Sequence, residues 1–422
     1  MILVKAPRVE RVSAGGWTAS SAVTAGSVAT IVVGGLTGVI CARWLGPVER
    51  GYYVSATWWA EALAVVLSLG LPQSLVVDRG PLALLTRRLG LLLFGLPLVA
   101  GVLAVLLVPL ISDSTGIRRI LGFALIAAGS AASGIAAGLA QRLGRMRGLF
   151  QAVRLAPPLF ALAALGLLIL VGNRSADDWL LATGVAIYAA GFFLALHALG
   201  GAAAFRNDAR INGDFVRLTA VALGSAVLST CVYGADGLVA AAQLRPERVA
   251  EYAVGVAATG AITAVSQSVG MVAFSHLRHT TPPAFGKAVF RYCRQALFVS
   301  LTLSLVVAFL AQRIVVALYG EAFRGAVVIV QILVFASAPI AVDFITSHAI
   351  QLMRSYRFLL ILRVGQLIAF VAGAVWLCER GDVIGLSWLV ILVFTVSSAI
   401  LGVLLFVRNG SYQPRTVDEE PA

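Results

Sequence analysis

Long apolar runs, separated by short clusters of arginine, proline and glycine, constrain the fold of this chain more than any other feature. A membrane-spanning helix needs about 20 mostly apolar residues, which is the length of these runs. Twelve runs therefore predict twelve transmembrane helices. Their predicted bounds are 18–42, 52–77, 89–111, 119–140, 155–172 and 179–205, followed by 218–243, 250–276, 290–318, 325–351, 357–378 and 383–407.

The composition excludes an ordinary water-soluble protein. Of the 422 residues, 60% are hydrophobic and 12% are charged, whereas soluble domains carry about 25% charged residues. The expected fold class is an all-α polytopic membrane protein. The four cysteines are widely spaced, and their spacing fits neither a metal-binding nor a disulfide motif, so we expect no metal site.

The basic residues lie in the loops, and this explains a formal net charge of +13 without a nucleic-acid partner. Counted with the adjoining helix ends, the N-terminus, the loops after even-numbered helices and the C-terminus carry 22 of the 32 lysines and arginines. Cytoplasmic loops carry the excess of basic residues, so both termini are predicted to be cytoplasmic. Arginine far outnumbers lysine, and alanine, glycine and valine are abundant, which indicates a GC-rich bacterial genome. The predicted location is therefore the bacterial cytoplasmic membrane.

A short repeat divides the helices into two halves. Residues 43–54 read RWLGPVERGYYV, and residues 246–254 read PERVAEYAV. Each copy follows the first helix of its half and ends in Tyr-x-Val. The repeat predicts two six-helix bundles, residues 1–210 and 211–422, related by a pseudo-two-fold axis with a cavity between them near the midplane.

Three acidic residues, Glu61, Asp236 and Asp343, lie well inside predicted spans, where an ionised carboxylate is costly and marks a functional candidate. Glu61 is nine residues from the end of its helix, which puts it roughly 14 Å deep. Asp236 shares a helix face with Tyr233, and Asp343 follows Pro339, which should kink the tenth helix. All three are candidates for Na⁺ or H⁺ coupling. For Asp236 and Asp343 the alternative is an interhelical hydrogen bond without a transport role.

Three arginines, Arg43, Arg313 and Arg363, are candidate donors to an anionic ligand, because a guanidinium pairs with phosphate through two parallel hydrogen bonds. The alternative for each of the three is a side chain that snorkels to the lipid headgroups without a role in binding. Together with Glu61 these arginines are expected to line a substrate cavity. No residue is predicted to be catalytic.

Four stretches of sequence carry a family resemblance: 42–53 (ARWLGPVERGYY), 68–73 (SLGLPQ), 236–252, which begins DGL and ends EY, and 318–323 (LYGEAF). Together they resemble the oligosaccharide flippase (polysaccharide biosynthesis) family of the MOP transporter superfamily, which also contains MATE multidrug exporters and lipid II flippases. The sequence departs from the family pattern at Glu251, where a glycine is expected.

The resemblance implies a two-bundle transporter that moves a polyprenyl-linked oligosaccharide from the cytoplasmic to the outer leaflet by alternating access. It implies no enzymatic activity and no cofactor apart from a coupling Na⁺ or H⁺. The implied partners are the lipid-linked oligosaccharide, membrane lipids, a polysaccharide polymerase and glycosyltransferases. A lipid II carrier is disfavoured, because that branch has two further helices where this sequence has a polar tail after Arg408.

Two alternatives remain at this stage. A MATE-like, cation-coupled exporter of small molecules would have the same helices. A membrane enzyme that consumes polyprenyl-linked sugars would need acid and base groups in an extracytoplasmic loop, and the predicted loops are short.

Overall fold

A computed structural model of the chain describes residues 16–77, 83–111, 116–143, 149–202, 213–277, 282–353 and 356–408. The regular elements in these ranges are all helical. The α-helices are α1 (Gly16–Leu67), α2 (Leu71–Val77), α3 (Ala83–Ile111), α4 (Ile117–Arg142), α5 (Leu149–Leu170), α6 (Ala176–Ala202), α7 (Gly213–Gln243), α8 (Pro246–Leu277), α9 (Pro282–Tyr319), α10 (Ala326–Leu333), α11 (Ser337–Leu352), α12 (Tyr356–Glu379) and α13 (Val383–Arg408). The outermost parts of both termini and the predicted boundary between the halves at residues 210 and 211 lie outside the described residues.

Ten helices within the described ranges are long and apolar enough to cross a membrane. Large apolar side chains cover their outer faces: Phe309 and Phe406 are each 87% exposed and Leu170 is 83% exposed. Such a surface belongs in lipid. The protein is therefore a multi-pass membrane protein of the predicted all-α class. The seventh predicted span is helical (α7) but is not among the ten, so the count of twelve stays a prediction.

The first two predicted helices form one continuous element that bends at Gly46. This residue has φ 74° and ψ 178°, a backbone conformation that favours glycine. Pro47 follows in the first turn of the second arm, where a missing N–H costs little. The predicted loop between these helices is therefore a one-residue bend between the arms 16–45 and 47–67.

The predicted tenth helix is also divided, into α10 and α11, by a 3₁₀ turn at Val334–Ala336. The sequence predicts a kink near Pro339, and the turn lies just before that residue. Pro339 occupies the first turn of α11, which needs no N–H from it. Asp343 is one turn further along.

The N-terminal half is built on close packing of α4 against α6. Gly122 and Gly129 on α4 oppose Gly184 and Gly191 on α6. A Cβ on Gly129 would lie 2.6 Å from the Tyr188 Cα, and one on Gly184 would lie 2.6 Å from the Gly122 carbonyl oxygen. The seven-residue spacing on both helices keeps the four glycines on facing sides, so the two backbones touch over two turns.

The stretch 68–73 forms the turn between α1 and α2, residues 68–70, and the first residues of α2. Leu69 and Gly70 both have positive φ, at 53° and 69°. Gly70 lies against the backbone of Leu223 on α7, while Pro72 lies against Gly138 on α4, where an added Cβ would be 2.8 Å from the Pro72 Cα. This turn therefore joins elements of both halves.

Most of the contact between the two halves involves α1, which packs against α7 and α8. One cluster of buried apolar residues lies within 41–199, and three further clusters lie mainly within 232–401. Ala42 on α1 belongs to a cluster of the C-terminal half. The helix pairs that carry the sequence repeat thus meet at the seam between the halves.

Candidate functional site

The C-terminal half contains a buried ion pair between Asp343 on α11 and Arg363 on α12. Arg363 Nη2 lies 2.5 Å from Asp343 Oδ2, and Nη1 lies 3.2 Å from Oδ1. The Asp343 side chain is fully buried and that of Arg363 is 8% exposed. Two parallel hydrogen bonds between a guanidinium and a carboxylate are the strongest geometry for such a pair.

Polar side chains from α7, α12 and α13 complete the surroundings of this pair. The Tyr233 hydroxyl donates to Asp343 Oδ2 at 2.8 Å, and Ser397 donates to Oδ1 at 2.7 Å. Arg363 also donates to Gln366 Oε1 at 2.7 Å. Each carboxylate oxygen of Asp343 thus has at least two donors. The structure therefore unites two of the predicted candidates, Asp343 and Arg363, in one network with α7.

A cavity of about 300 Å³ lies next to this network, between α7, α8, α10, α11 and α13. The polar residues that line it are Tyr233, Asp236, Thr259 and Thr263. The Tyr233 ring also stacks on Phe394 at a centroid distance of 5.3 Å. The cavity is thus bounded by hydroxyls, one carboxylate, an aromatic wall and the aliphatic side chains of Val256, Leu333, Ile340 and Val390.

Asp236, another predicted candidate in the C-terminal half, is hydrogen-bonded to a tyrosine. The Tyr252 hydroxyl donates to Asp236 Oδ2 at 2.6 Å, and both residues are buried. Trp58 on α1 meets the Tyr252 ring edge to face at 6.5 Å. The tyrosine of the second repeat copy therefore links Asp236 to the seam between the halves.

Glu61 lies on the second arm of α1 and is exposed. Three residues earlier, Trp58 packs against Gly237 of α7, and further along Gly70 packs against Leu223. These contacts set an antiparallel register between the second arm and α7, from which we infer that Glu61 lies near the level of Tyr233.

The two halves are in contact at the end of the molecule that carries Gly46 and Pro246, which we call the Gly46 end. Arg43 donates from Nε to the Leu318 carbonyl at 2.7 Å and from Nη2 to the Ala317 carbonyl. These carbonyls close the C-terminal turn of α9, where a cation is favourable. The structure therefore places Arg43 on a helix end of the opposite half.

Arg50 makes a second contact at the Gly46 end and is 3% exposed. Its guanidinium lies 4.9 Å from the Tyr319 ring centre and 5.0 Å from that of Phe323. It also donates to the Ala250 carbonyl at 3.4 Å. The stretches 42–53 and 318–323, which carry part of the family resemblance, thus contact each other across the seam.

Arg313 is exposed on α9, four residues after the lipid-facing Phe309. The structure thus places it on the outer face of the helix, apart from the network around Arg363. Among the residues that the structure describes, no group of three or more histidine, cysteine or acidic side chains could hold a metal ion.

Comparison with known proteins finds solved structures that share the fold of this chain at low sequence identity. No protein-family model matches the sequence, and no curated protein matches it either. A solved structure of the lipid II flippase MurJ in an inward closed conformation has a TM-score of 0.67 and 12% identity, and the match covers 91% of this chain and 87% of that one. The fold is that of the MOP superfamily.

Other solved structures agree with this fold. An inward-facing multidrug resistance MATE family transporter has a TM-score of 0.67 and 13% identity, covering 90% of this chain and 95% of that one. A MOP superfamily transporter from Pyrococcus furiosus has a TM-score of 0.63 and 13% identity, covering 93% and 96%. Identities this low bear on the fold alone.

Two elements of the site were not identified from the sequence. Thr259 and Thr263 lie one turn apart on α8 with Gly260 between them, a pattern that a search for small and polar residues on one helix face could have found. The sequence predicts Arg50 only as a charged loop residue, although it lies in the first repeat copy, close to Tyr52 and Tyr53.

Proposed function

We propose that the protein is a flippase that moves a polyprenyl-linked oligosaccharide from the cytoplasmic to the outer leaflet of the bacterial cytoplasmic membrane, for cell-surface or exopolysaccharide synthesis. The observation that carries this proposal is the cavity in the C-terminal half. Hydroxyl groups and one carboxylate line it, within a protein whose outer faces are apolar. A saccharide headgroup needs hydrogen-bonding partners inside, while its polyprenyl tail stays in lipid.

The proposed mechanism is alternating access without covalent chemistry. The halves 1–210 and 211–422 would move as two bodies about the seam formed by α1, α7 and α8. Contacts at the Gly46 end close that side in this conformation. The headgroup would enter from the other side and be released after the Gly46 end opens.

Ion coupling is proposed for Glu61 and Asp236 in preference to Asp343. Arg363, Tyr233 and Ser397 already occupy both oxygens of Asp343. The Arg363 guanidinium, 2.5 Å from this carboxylate, already supplies the positive charge that a coupling cation would bring. Glu61 is exposed, and Asp236 is hydrogen-bonded to the Tyr252 hydroxyl instead of a cation. Both carboxylates can therefore exchange a proton or bind Na⁺ as the halves move.

The test is leaflet transfer in proteoliposomes that contain a polyprenyl diphosphate oligosaccharide, with an impermeant glycosidase to report the outer leaflet. The wild type should transfer the lipid faster than empty vesicles. Glu61→Gln should slow transfer without loss of protein from the membrane, because it removes the one exposed carboxylate near the level of the cavity. Glu379→Gln at the exposed end of α12 is the matched control, because it removes a carboxylate away from the cavity, and it should not change the rate.

In cells, deletion of the gene should trap lipid-linked repeat units on the cytoplasmic leaflet. Normal glycan export in a deletion strain without a paralogue would overturn the proposal. So would a wild-type transfer rate equal to that of empty vesicles.

A MATE-like exporter of small cations is the second candidate, and the environment of Asp236 favours it. In the described part of the chain, this carboxylate is hydrogen-bonded to a phenol instead of a cation, which leaves a net negative charge next to the cavity. An exporter would make the deletion strain sensitive to lipophilic cations with glycan export intact, and a flippase predicts the reverse.

A further inference from the structure

One face of α8 forms a wall of the cavity. Val256, Thr259, Gly260 and Thr263 line it at spacings of three, four and seven residues, which is one side of a helix. A Cβ on Gly260 would have nothing within 4 Å. The glycine therefore opens space between two hydroxyls.

On this wall of the cavity, the Thr263 hydroxyl is a buried polar group without a partner among the described residues. Its residue is 9% exposed, and Oγ1 is buried without a hydrogen-bond partner among the described residues. A buried hydroxyl without a partner is costly, by about 1–3 kcal/mol. A ligand in the cavity that offers a hydroxyl would satisfy Thr263.

The other walls define the chemistry of that ligand. Tyr233 uses its hydroxyl on Asp343 and Arg363, so it offers the cavity a ring stacked on Phe394. Asp236 still has lone pairs that can accept hydrogen bonds.

We propose that this cavity is a subsite for one neutral sugar ring of the headgroup, with Thr263 and Asp236 bonded to its hydroxyls and the ring's C–H face against Phe394 and Tyr233. The volume of about 300 Å³ is at the small end of ligand pockets and suits one ring. This subsite rests on the proposed function, since it gives the transported saccharide a place in the C-terminal half.

The experiment measures binding of two lipids to the purified full-length protein in nanodiscs. One probe is a polyprenyl diphosphate that carries a single hexose, and the other is the same lipid without the sugar. The wild type should bind the hexose lipid more tightly. Thr263→Val should weaken binding of the hexose lipid about threefold to tenfold, the equivalent of one neutral hydrogen bond, and leave the sugar-free lipid unchanged. Thr263→Ser should restore the difference.

Gly260→Leu should abolish the sugar-dependent difference, because the new side chain fills the cavity. Gly402→Leu is the matched control, since Gly402 is exposed on α13 and also has nothing within 4 Å of an added Cβ. Equal binding of both lipids by the wild type, with leaflet transfer intact, would overturn the subsite and leave the proposed function standing.

A sugar-dependent difference that Gly260→Leu removes, in a protein that transfers neither lipid, would keep the subsite and overturn the proposed function. No binding of either lipid would overturn both. A Na⁺ titration of the same variants is the last arm: a Na⁺ signal that Thr263→Val abolishes would show a cation in the cavity and overturn the sugar assignment.

Discussion

At the scale of single residues, the charge of Asp343 is balanced inside the protein. A carboxylate with no exposed surface needs a fixed cation and several donors, and here Arg363, Tyr233 and Ser397 provide them. The pair also ties four helices together, because Asp343 is on α11, Tyr233 on α7, Arg363 on α12 and Ser397 on α13. The ion pair therefore neutralises the buried charge and also positions Tyr233 at the cavity.

Arg363→Met should lower the free energy of unfolding by about 3–5 kcal/mol, because it leaves the Asp343 carboxylate buried without a counter-charge. The double variant Arg363→Met/Asp343→Asn should recover most of that loss, since no charge then remains buried. Thermal unfolding of the detergent-purified proteins measures both. Additive losses in the double variant would contradict the ion-pair explanation.

At the scale of helices, α4 and α6 depend on glycine for their approach. The facing glycines bring the two backbones into contact, so the helices gain dispersion contacts that larger side chains would prevent. Lipid tails are as apolar as leucine, and helix association in a membrane therefore relies on such close packing.

Gly129→Ala should destabilise the protein by about 1–3 kcal/mol, because the added methyl group meets the backbone of α6 and forces the helices apart. Gly166→Ala on α5 is the control, since an added Cβ there has nothing within 4 Å. It should be neutral or stabilise by up to about 1 kcal/mol, as alanine is the better helix former. Melting temperatures of the two variants test the difference, and equal shifts would contradict it.

The helices themselves were largely predictable, whereas the contacts between them were not. Apolar length predicts the spans, and the predicted ends near Leu318 and Glu379 are close to the observed ones. The bend at Gly46 was missed, because one glycine and one proline suffice to turn the chain where the sequence predicts a loop. The partnership of Asp343 with Arg363 was also missed, because it depends on how α11 and α12 are rotated toward each other, and hydropathy does not report rotation.

At the scale of the whole molecule, the two copies of the sequence repeat meet at the Gly46 end. The Arg50 guanidinium of one copy donates to the Ala250 carbonyl of the other, and Gly51 lies against the backbone of Pro246. The proposed alternating access requires this contact to break and re-form. The Arg50 guanidinium is buried in this contact, beside the apolar cluster that contains Ala42.

Gly51→Ala should hold the Gly46 end open, because a Cβ at this position would overlap the Pro246 backbone. The reporter is Ala42→Cys, which is 1% exposed at the seam, in a background whose four native cysteines are replaced by alanine. Labelling by a maleimide in nanodiscs should be at least about tenfold faster with Gly51→Ala, which corresponds to a shift of about 1.4 kcal/mol toward the open state. Gly38→Ala, where an added Cβ meets nothing within 4 Å, should leave the rate unchanged. Equal labelling rates in all three backgrounds would mean that the Gly51 contact does not control this end of the molecule.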